Sequence, residues 1–456
     1  MHPIRRSALL VPCCITLFLS LAAPASAATV CVRAQPHPGC YASIQAAVNH
    51  AAAGDVVRVG AGTYKEFVTI GIPIAIAGED AESTTIDATG LPHGIFIDGV
   101  SHAGLNHVTI SGLTVVNALY EGILVVSANH VTIRNNRINN NDTSPGLNFT
   151  GATTGCPGQP GTGIYENDET GDCGGALHLV GVSFSTVSDN FITGNADGVL
   201  ISDETAASHD NVLTHNTVQN NPLECGIVLA SHPPSGHTAP PFATHFGITS
   251  NTIAENVSSG NGVQIGGSGV GLFSDGMGMG TVSGNLIIHN RLIGNGIGGV
   301  NIHTHVGPAF GLPADNMNWN VIIGNYIEKN LADSFDTATP GPVGINISSG
   351  DGGSPIRGTV VAYNIIREEA VDIAVNTPAD VDIHLNDLGG RDIGIADVCA
   401  LDKASICTGT IHAAMNYWGC DDGPGSPECS SVSGSNISFT PWLRQPPHEE
   451  DDRGRR

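Results

Sequence analysis

An asparagine followed five residues later by a second recurs along most of this chain, at Asn136/Asn141, Asn190/Asn195, Asn216/Asn221, Asn251/Asn256, Asn290/Asn295 and Asn325/Asn330, then singly at Asn364 and Asn386. A glycine leading into alternating apolar residues recurs with it. Examples are Gly94-Ile95-Phe96-Ile97, Gly122-Ile123-Leu124-Val125, Gly198-Val199-Leu200-Ile201, Gly226-Ile227-Val228-Leu229, Gly299-Val300-Asn301-Ile302 and Gly344-Ile345-Asn346-Ile347. A period near 22 residues with insertions means that each repeat is one structural unit, buried only by stacking on its neighbours. Short strands with period-two alternation put Val, Ile and Leu inward, and coils stack at about 4.8 Å. The pattern predicts an all-β fold, a right-handed parallel β-helix built as a single-stranded solenoid. The recurring Asn then serves a structural purpose, because its carboxamide can bond turn backbone and it tolerates left-handed geometry.

Composition agrees with one long core rather than several domains. The chain has 456 residues, 41 % of them hydrophobic and only 13 % charged, with 59 glycines. Helical bundles, coiled coils and charged disordered chains are excluded, and collagen lacks support because glycine has no period of three. Net charge is −25, from 17 Lys+Arg against 42 Asp+Glu. No basic stripe exists to neutralise a phosphate backbone, so nucleic acid is not an expected partner. Polyanionic sugars would need a bridging divalent cation, which makes Ca²⁺ the candidate cofactor although no residue pattern specifies one.

Arg5 and Arg6 precede an apolar run from Ala8 to Ala23 and the Pro24-Ala25-Ser26-Ala27 stretch, which has the Ala-x-Ala form of a signal-peptidase site. Residues 1–27 are therefore read as a signal peptide, 28–444 as the β-helix and 445–456 as a disordered charged tail. The expected product is secreted, extracellular or periplasmic, with no membrane span. In an oxidising compartment the cysteine spacings suggest local staples, Cys31–Cys40, Cys156–Cys173, Cys399–Cys407 and Cys420–Cys429, leaving Cys225 as a buried inert thiol. Ser43 is placed as the N-cap of a helix that ends by Gly54 and covers the first coil, where bare strand edges need a lid.

Ser43-Ile44-Gln45-Ala46-Ala47-Val48, followed by Gly54-Asp55 and Gly62-Thr63-Tyr64-Lys65-Glu66, resembles the opening of pectin-lyase-like right-handed β-helix proteins. The Asn-rich coils are similar to that family's Asn-type repeat. Asn416-Tyr417-Trp418-Gly419-Cys420 with Pro441-Trp442-Leu443 is similar to the closing module of exported bacterial members. The resemblance implies the fold and a polysaccharide as partner, but the scaffold serves hydrolases, lyases, esterases, epimerases and binding proteins alike. Asn-Thr-Asp, Gly-His-Gly, Arg-Ile-Lys and Asp-Pro-His, the motifs of its familiar enzymes, are missing.

Insertions at 203–210, 230–245, 267–281, 303–319 and 348–358 all follow the Gly-led strand, so stacked coils gather them on one side as the wall of a groove. Aligning coils on that strand puts Ser202, Ala230, His303 and Ser348 in one outward column and Glu204, His232 and His305 in the next. Asp203 or Glu204, paired with Asp275 or Asp315, would serve as glycosidase carboxylates, and His303 and His305 as alternative acid–base groups. His232, Gln264, Asn301, Trp319 and Asp351 are the candidate substrate-binding residues. Arg291, Arg357 and Arg367 are the cations a lyase would draw on, and no metal ligand set is assigned. The resulting expectation is a secreted protein that engages polysaccharide along this groove, as a hydrolase or lyase. The rival is a non-catalytic carbohydrate-binding or surface-associated scaffold, and a further alternative, from the His content and a similarity to periplasmic copper-accessory β-helix proteins, is a metal accessory role.

Overall fold

The computed structural model describes residues 27–142, 175–231, 246–264, 266–274, 280–304, 307–332, 341–350, 352–389, 392–398 and 409–447. Within them three long parallel sheets of 14, 12 and 11 strands run side by side along the chain, with a small sheet of three strands between the 12- and 14-stranded ones. Each coil contributes one strand to each long sheet, and successive coils pair in parallel register. Ile110, Ile133, Val187, Leu213, Ile253, Ile287, Ile322, Val361 and Ile383 thus form one continuous inward column of the 14-stranded sheet. All nine are buried. At roughly 1.5–3 kcal/mol for each fully buried aliphatic side chain, these columns supply the main driving force for stacking one coil on the next.

Asparagine ladders line the turns. Asn216 donates its backbone N–H and its Nδ2 to Asn256 Oδ1 in the next coil at 2.9 and 3.0 Å, and Nδ2 also donates to Val187 O in the previous one. Asn256 repeats this toward Asn290, and Asn290 toward Asn325. A buried carboxamide in this setting uses its donors and its acceptor, which is why burial does not penalise it. Three such ladders are present. Asn251 belongs with Asn211, Asn285 and Asn320 in a ladder of its own. Asn256, and not Asn251, is therefore the coil marker that follows Asn216, and the spacing of five joins different ladders in different coils. The glycines that open the strands have a related cause: a Cβ on Gly226 would strike Ser258 Oγ and lie 2.6 Å from Asn261 Nδ2.

Helix Ile44–His50 closes the N-terminal end. Ser43 caps it, and Glu66 holds both Ile44 N and Gln45 N, at 2.8 and 2.9 Å. It stops at His50, four residues short of Gly54, since Ala51 is already extended. Ala28 N–H donates to Asp55 Oδ1 at 2.8 Å. Cys31–Cys40 and Cys420–Cys429 form the disulfides expected of them. Cys156–Cys173 and Cys399–Cys407 lie outside the described residues, as do residues 1–26 and 448–456. Cys225 is buried, and its sulfur accepts the Ser268 N–H at 3.2 Å.

Two of the three outward faces differ from the third. Strands of the 14- and 11-stranded sheets mostly show one buried residue between two partly exposed ones, as in Thr186–Ser188 and Thr217–Gln219. Strands of the 12-stranded sheet, such as Val199–Ser202 and Val300–Thr304, are buried on both faces. Polar side chains that point outward here leave water, and that sets their chemistry.

Candidate functional site

Parallel register assembles the outward columns of the 12-stranded sheet. One runs Phe96, Leu124, His178, Leu200, Val228, Gly271, Asn301, Asn346; the next runs Asp98, Val126, Val180, Ser202, Ala230, Phe273, His303, Ser348. The first half is largely apolar and the second polar. Ser202, Ala230, His303 and Ser348 do share a column, as the alignment of the coils anticipated.

Within the first half lies a connected chain of buried polar groups. Ser202 Oγ donates to Glu204 Oε2 and sits 2.7 Å from His178 Nε2. The other nitrogen of that ring, Nδ1, faces Glu121 Oε1 at 3.6 Å, while Glu121 Oε2 meets His93 Nδ1 at 2.6 Å. His93, Glu121, His178 and Ser202 have no solvent exposure, and Glu204 has 4 %. Phe67, Tyr120 and Phe96 surround the His93 ring at centroid distances of 5.5, 6.0 and 6.3 Å, so the surroundings are of low dielectric. Burial pushes the Glu121 carboxyl up, but the charge of His93 and the close approach of both imidazoles outweigh it and hold the carboxyl below its ordinary value. An ionised glutamate thus sits between two histidines and communicates, through one imidazole and one hydroxyl, with a second glutamate.

The chain's backbone explains this assembly. His93 and Glu121 each precede the glycine that opens a strand, Gly94 and Gly122, in successive coils. His178 lies in Leu177-His178-Leu179, where both leucines point into the core. These residues were legible as a histidine and a glutamate at the same repeat position, and as one polar residue in an apolar alternation. The cue is missed when coils are aligned only from the glycine onward.

Other candidates divide by environment. Asp203 is fully buried, and its Oδ2 accepts Ser231 Oγ at 2.8 Å and Gly247 N at 2.6 Å. Asp315, also buried, accepts Thr304 Oγ1 at 2.5 Å and Gly280 N at 3.1 Å, and its own N–H donates to Ser354 Oγ. Both carboxylates pin loop backbone to the end of a strand. Asn301 Oδ1 accepts from Asn346 Nδ2 at 3.0 Å, and His303 lies beside the Phe273 ring. Gln264 and Trp319 are exposed, Trp319 by 64 %. Asp275, His305, His232 and Asp351 lie outside the described residues. Arg291 stacks over Tyr326 at 5.0 Å and Arg367 pairs with Asp387 at 2.5 Å, both on the 11-stranded sheet and so away from this face. No group of three or more His, Cys, Asp or Glu with metal-holding geometry occurs among the described residues.

Residues 93–239, which include the whole His93-to-Glu204 chain, match the family model for the right handed beta helix region. The chain is a right-handed parallel β-helix. Solved structures of this architecture include the catalytic unit of a thermostable GH87 alpha-1,3-glucanase from Streptomyces thermodiastaticus, with 14 % identity, TM-score 0.50, and coverage of 93 % of this chain and 70 % of that one. A PL6 alginate lyase in complex with a trisaccharide is similar at 13 % identity and TM-score 0.48, covering 88 % and 85 %. The mannuronan C-5 epimerase A-module of Azotobacter vinelandii is similar at 15 % identity and TM-score 0.43, covering 88 % and 94 %. At these identities the likeness is one of fold. No protein of curated function matches the sequence. No helix among the described residues is long and apolar enough to cross a membrane.

Proposed function

We propose that this β-helix is an exported protein that engages a polysaccharide along the outward face of its 12-stranded sheet and turns it over by acid–base chemistry, as a hydrolase or lyase. The observation that carries the reading is the chain Glu204, Ser202, His178, Glu121, where a carboxylate is coupled to an imidazole whose other nitrogen faces a second carboxylate. Glu204 transfers the proton. When Glu204 takes up a proton, Ser202 passes its own to His178 and ionised Glu121 stabilises the imidazolium that forms; when Glu204 gives up a proton, the imidazolium returns one by the same path. Hydrolysis would use Glu204 to protonate the leaving oxygen while water adds at the anomeric carbon and releases its proton to solvent; elimination would use it to remove the proton beside a uronate carboxyl as the leaving oxygen departs. Export is supported by the disulfides Cys31–Cys40 and Cys420–Cys429, which form in an oxidising compartment.

Incubating the protein with neutral and acidic polysaccharides, with and without Ca²⁺, tests this. Reducing ends alone indicate hydrolysis, reducing ends with an ultraviolet-absorbing unsaturated product indicate elimination, and Glu204→Gln should lower either rate by roughly 100-fold or more. Full activity in that variant removes Glu204 from the mechanism. The second reading, a non-catalytic carbohydrate-binding scaffold, is favoured by the zero exposure of Ser202 and His178. Retention on insoluble polymer without turnover on any substrate would select it.

A further inference from the structure

A separate column of side chains runs along the turn that leads into the 14-stranded sheet. His107, His130, Phe184, Asp210, Ser250, Gly284, Trp319 and Gly358 occupy the same position in successive coils, as the backbone bonds His130 N to Ser183 O, Ser250 N to Ser283 O, Gly284 N to Asn318 O and Trp319 N to Arg357 O require. All eight have left-handed backbone, with φ between 50° and 68°. Where the column carries rings they stack. His107 lies on His130 at 4.9 Å with planes 15° apart, and His130 on Phe184 at 5.4 Å and 17°. The coil repeat of about 4.8 Å is therefore nearly the spacing of stacked rings, and this turn holds ring planes parallel to one another.

Trp319 breaks the series. A Cβ on Gly358, one coil on, would strike the indole, so one face of Trp319 rests against the Gly358 backbone. One coil back is Gly284, where a Cβ would find nothing within 4 Å among the described residues. The Trp319 ring, 64 % exposed, thus adjoins a position in a ring-stacking ladder that has no side chain. Exposed Ser250 stands on the far side of the gap, and the carboxamides of Asn316 and Asn318, bonded to each other at 2.7 Å, lie in the segment beside the indole.

We infer that the gap at Gly284 is a subsite for one pyranose ring of a neutral hexose polymer, stacked on Trp319 where Phe184 and the histidines carry rings of their own. A pyranose offers an apolar C–H face to the indole and hydroxyls around its edge, matching an aromatic wall with a hydroxyl and carboxamide rim. The net charge of −25 disfavours a uronate. The inference rests on the polysaccharide reading above but not on the relay, which lies on another face.

Affinity electrophoresis and intrinsic fluorescence with dextran, soluble starch and laminarin, and with polygalacturonate and alginate as acidic comparators, test it. Of the three tryptophans, Trp418 is fully buried and Trp442 packs on the core, so a sugar-induced change abolished by Trp319→Phe is assigned to Trp319. Trp319→Ala, and Gly284→Asn, which fills the gap with a residue that tolerates this backbone, should each weaken binding of a neutral glucan roughly tenfold. Trp319→Phe should stay within about threefold. Thermal melts establish that the variants are folded. Glucan binding unchanged by both Trp319→Ala and Gly284→Asn overturns the subsite and leaves the polysaccharide reading standing. Binding confined to polyuronates overturns the neutral class, and a wild-type protein retained by no glycan overturns both readings.

Discussion

Two sets of carboxyls, one in the early coils and one near the C-terminal end, are equally hidden from solvent, yet their titration is shifted in opposite directions. Glu121 has no exposure and is held ionised, below its ordinary value, by two imidazoles. Glu369 is 2 % exposed and takes the place of asparagine at the end of a ladder, where its Oε1 accepts the backbone N–H and Nδ2 of Asn330 at 3.0 and 2.8 Å. Burial nevertheless pushes it up to about 7. Asp372, 1 % exposed, has neither carboxyl oxygen hydrogen-bonded and is raised well above its ordinary value by burial and then by the charge of Glu369. Burial sets the penalty for charge, and the neighbours decide whether it is met. A cation partner in one region and fellow acids in the other turn one environment into opposite answers.

The largest test of that contrast is Glu121→Leu. Removing one member of a buried charged set leaves the other members uncompensated, so the loss at neutral pH should be roughly 3–5 kcal/mol by urea denaturation. A stabilised variant would mean that neither imidazole carries charge and would erase the difference between the regions. Glu369→Gln should act in the other direction. Its folded value of about 7 lies above the usual 4.5, so the unfolded chain loses its proton first, and this site's stability is complete below about pH 4.5 and declines up to about pH 7. Gln keeps the acceptor for Asn330 and has no charge to lose. It should therefore gain on the order of 3 kcal/mol at pH 8 and nothing at pH 4. In the wild type, hydrogen exchange read at a common intrinsic rate should show residues 365–388 less protected at pH 8 than at pH 5, with the His93-to-Glu204 coils unchanged, because solenoid coils answer to their neighbours only. Equal changes at both ends would refute local control. The smallest expected effect is that of Ser202→Ala, about 1 kcal/mol in a denaturant titration, because one hydroxyl leaves while His178 and Glu204 remain.

Much of the architecture could be read from periodicity alone. Gly-led apolar strands, Asn turns, the Ser43 cap and the two terminal disulfides appear where local pattern puts them, since each depends on residues close in sequence or one repeat away. Candidate chemistry was less accessible. Ser202 and Glu204 were identified from the columns, but His93, Glu121 and His178 join them only across coils up to 111 residues apart in sequence, the span from His93 to Glu204. Asp203 looked equivalent to Glu204 from its neighbours. The structure turns the two apart, sending Asp203 to Ser231 and Gly247 and Glu204 to Ser202.

The amino-acid sequence by itself determined a stacked parallel solenoid, because a two-residue alternation and a repeating turn leave no other way to bury its apolar faces. Which polar groups would meet was decided by tertiary structure. Insertions of unequal length separate coils in sequence without separating them in space, so the stacking register alone places Glu121 between two histidines and Trp319 beside a glycine.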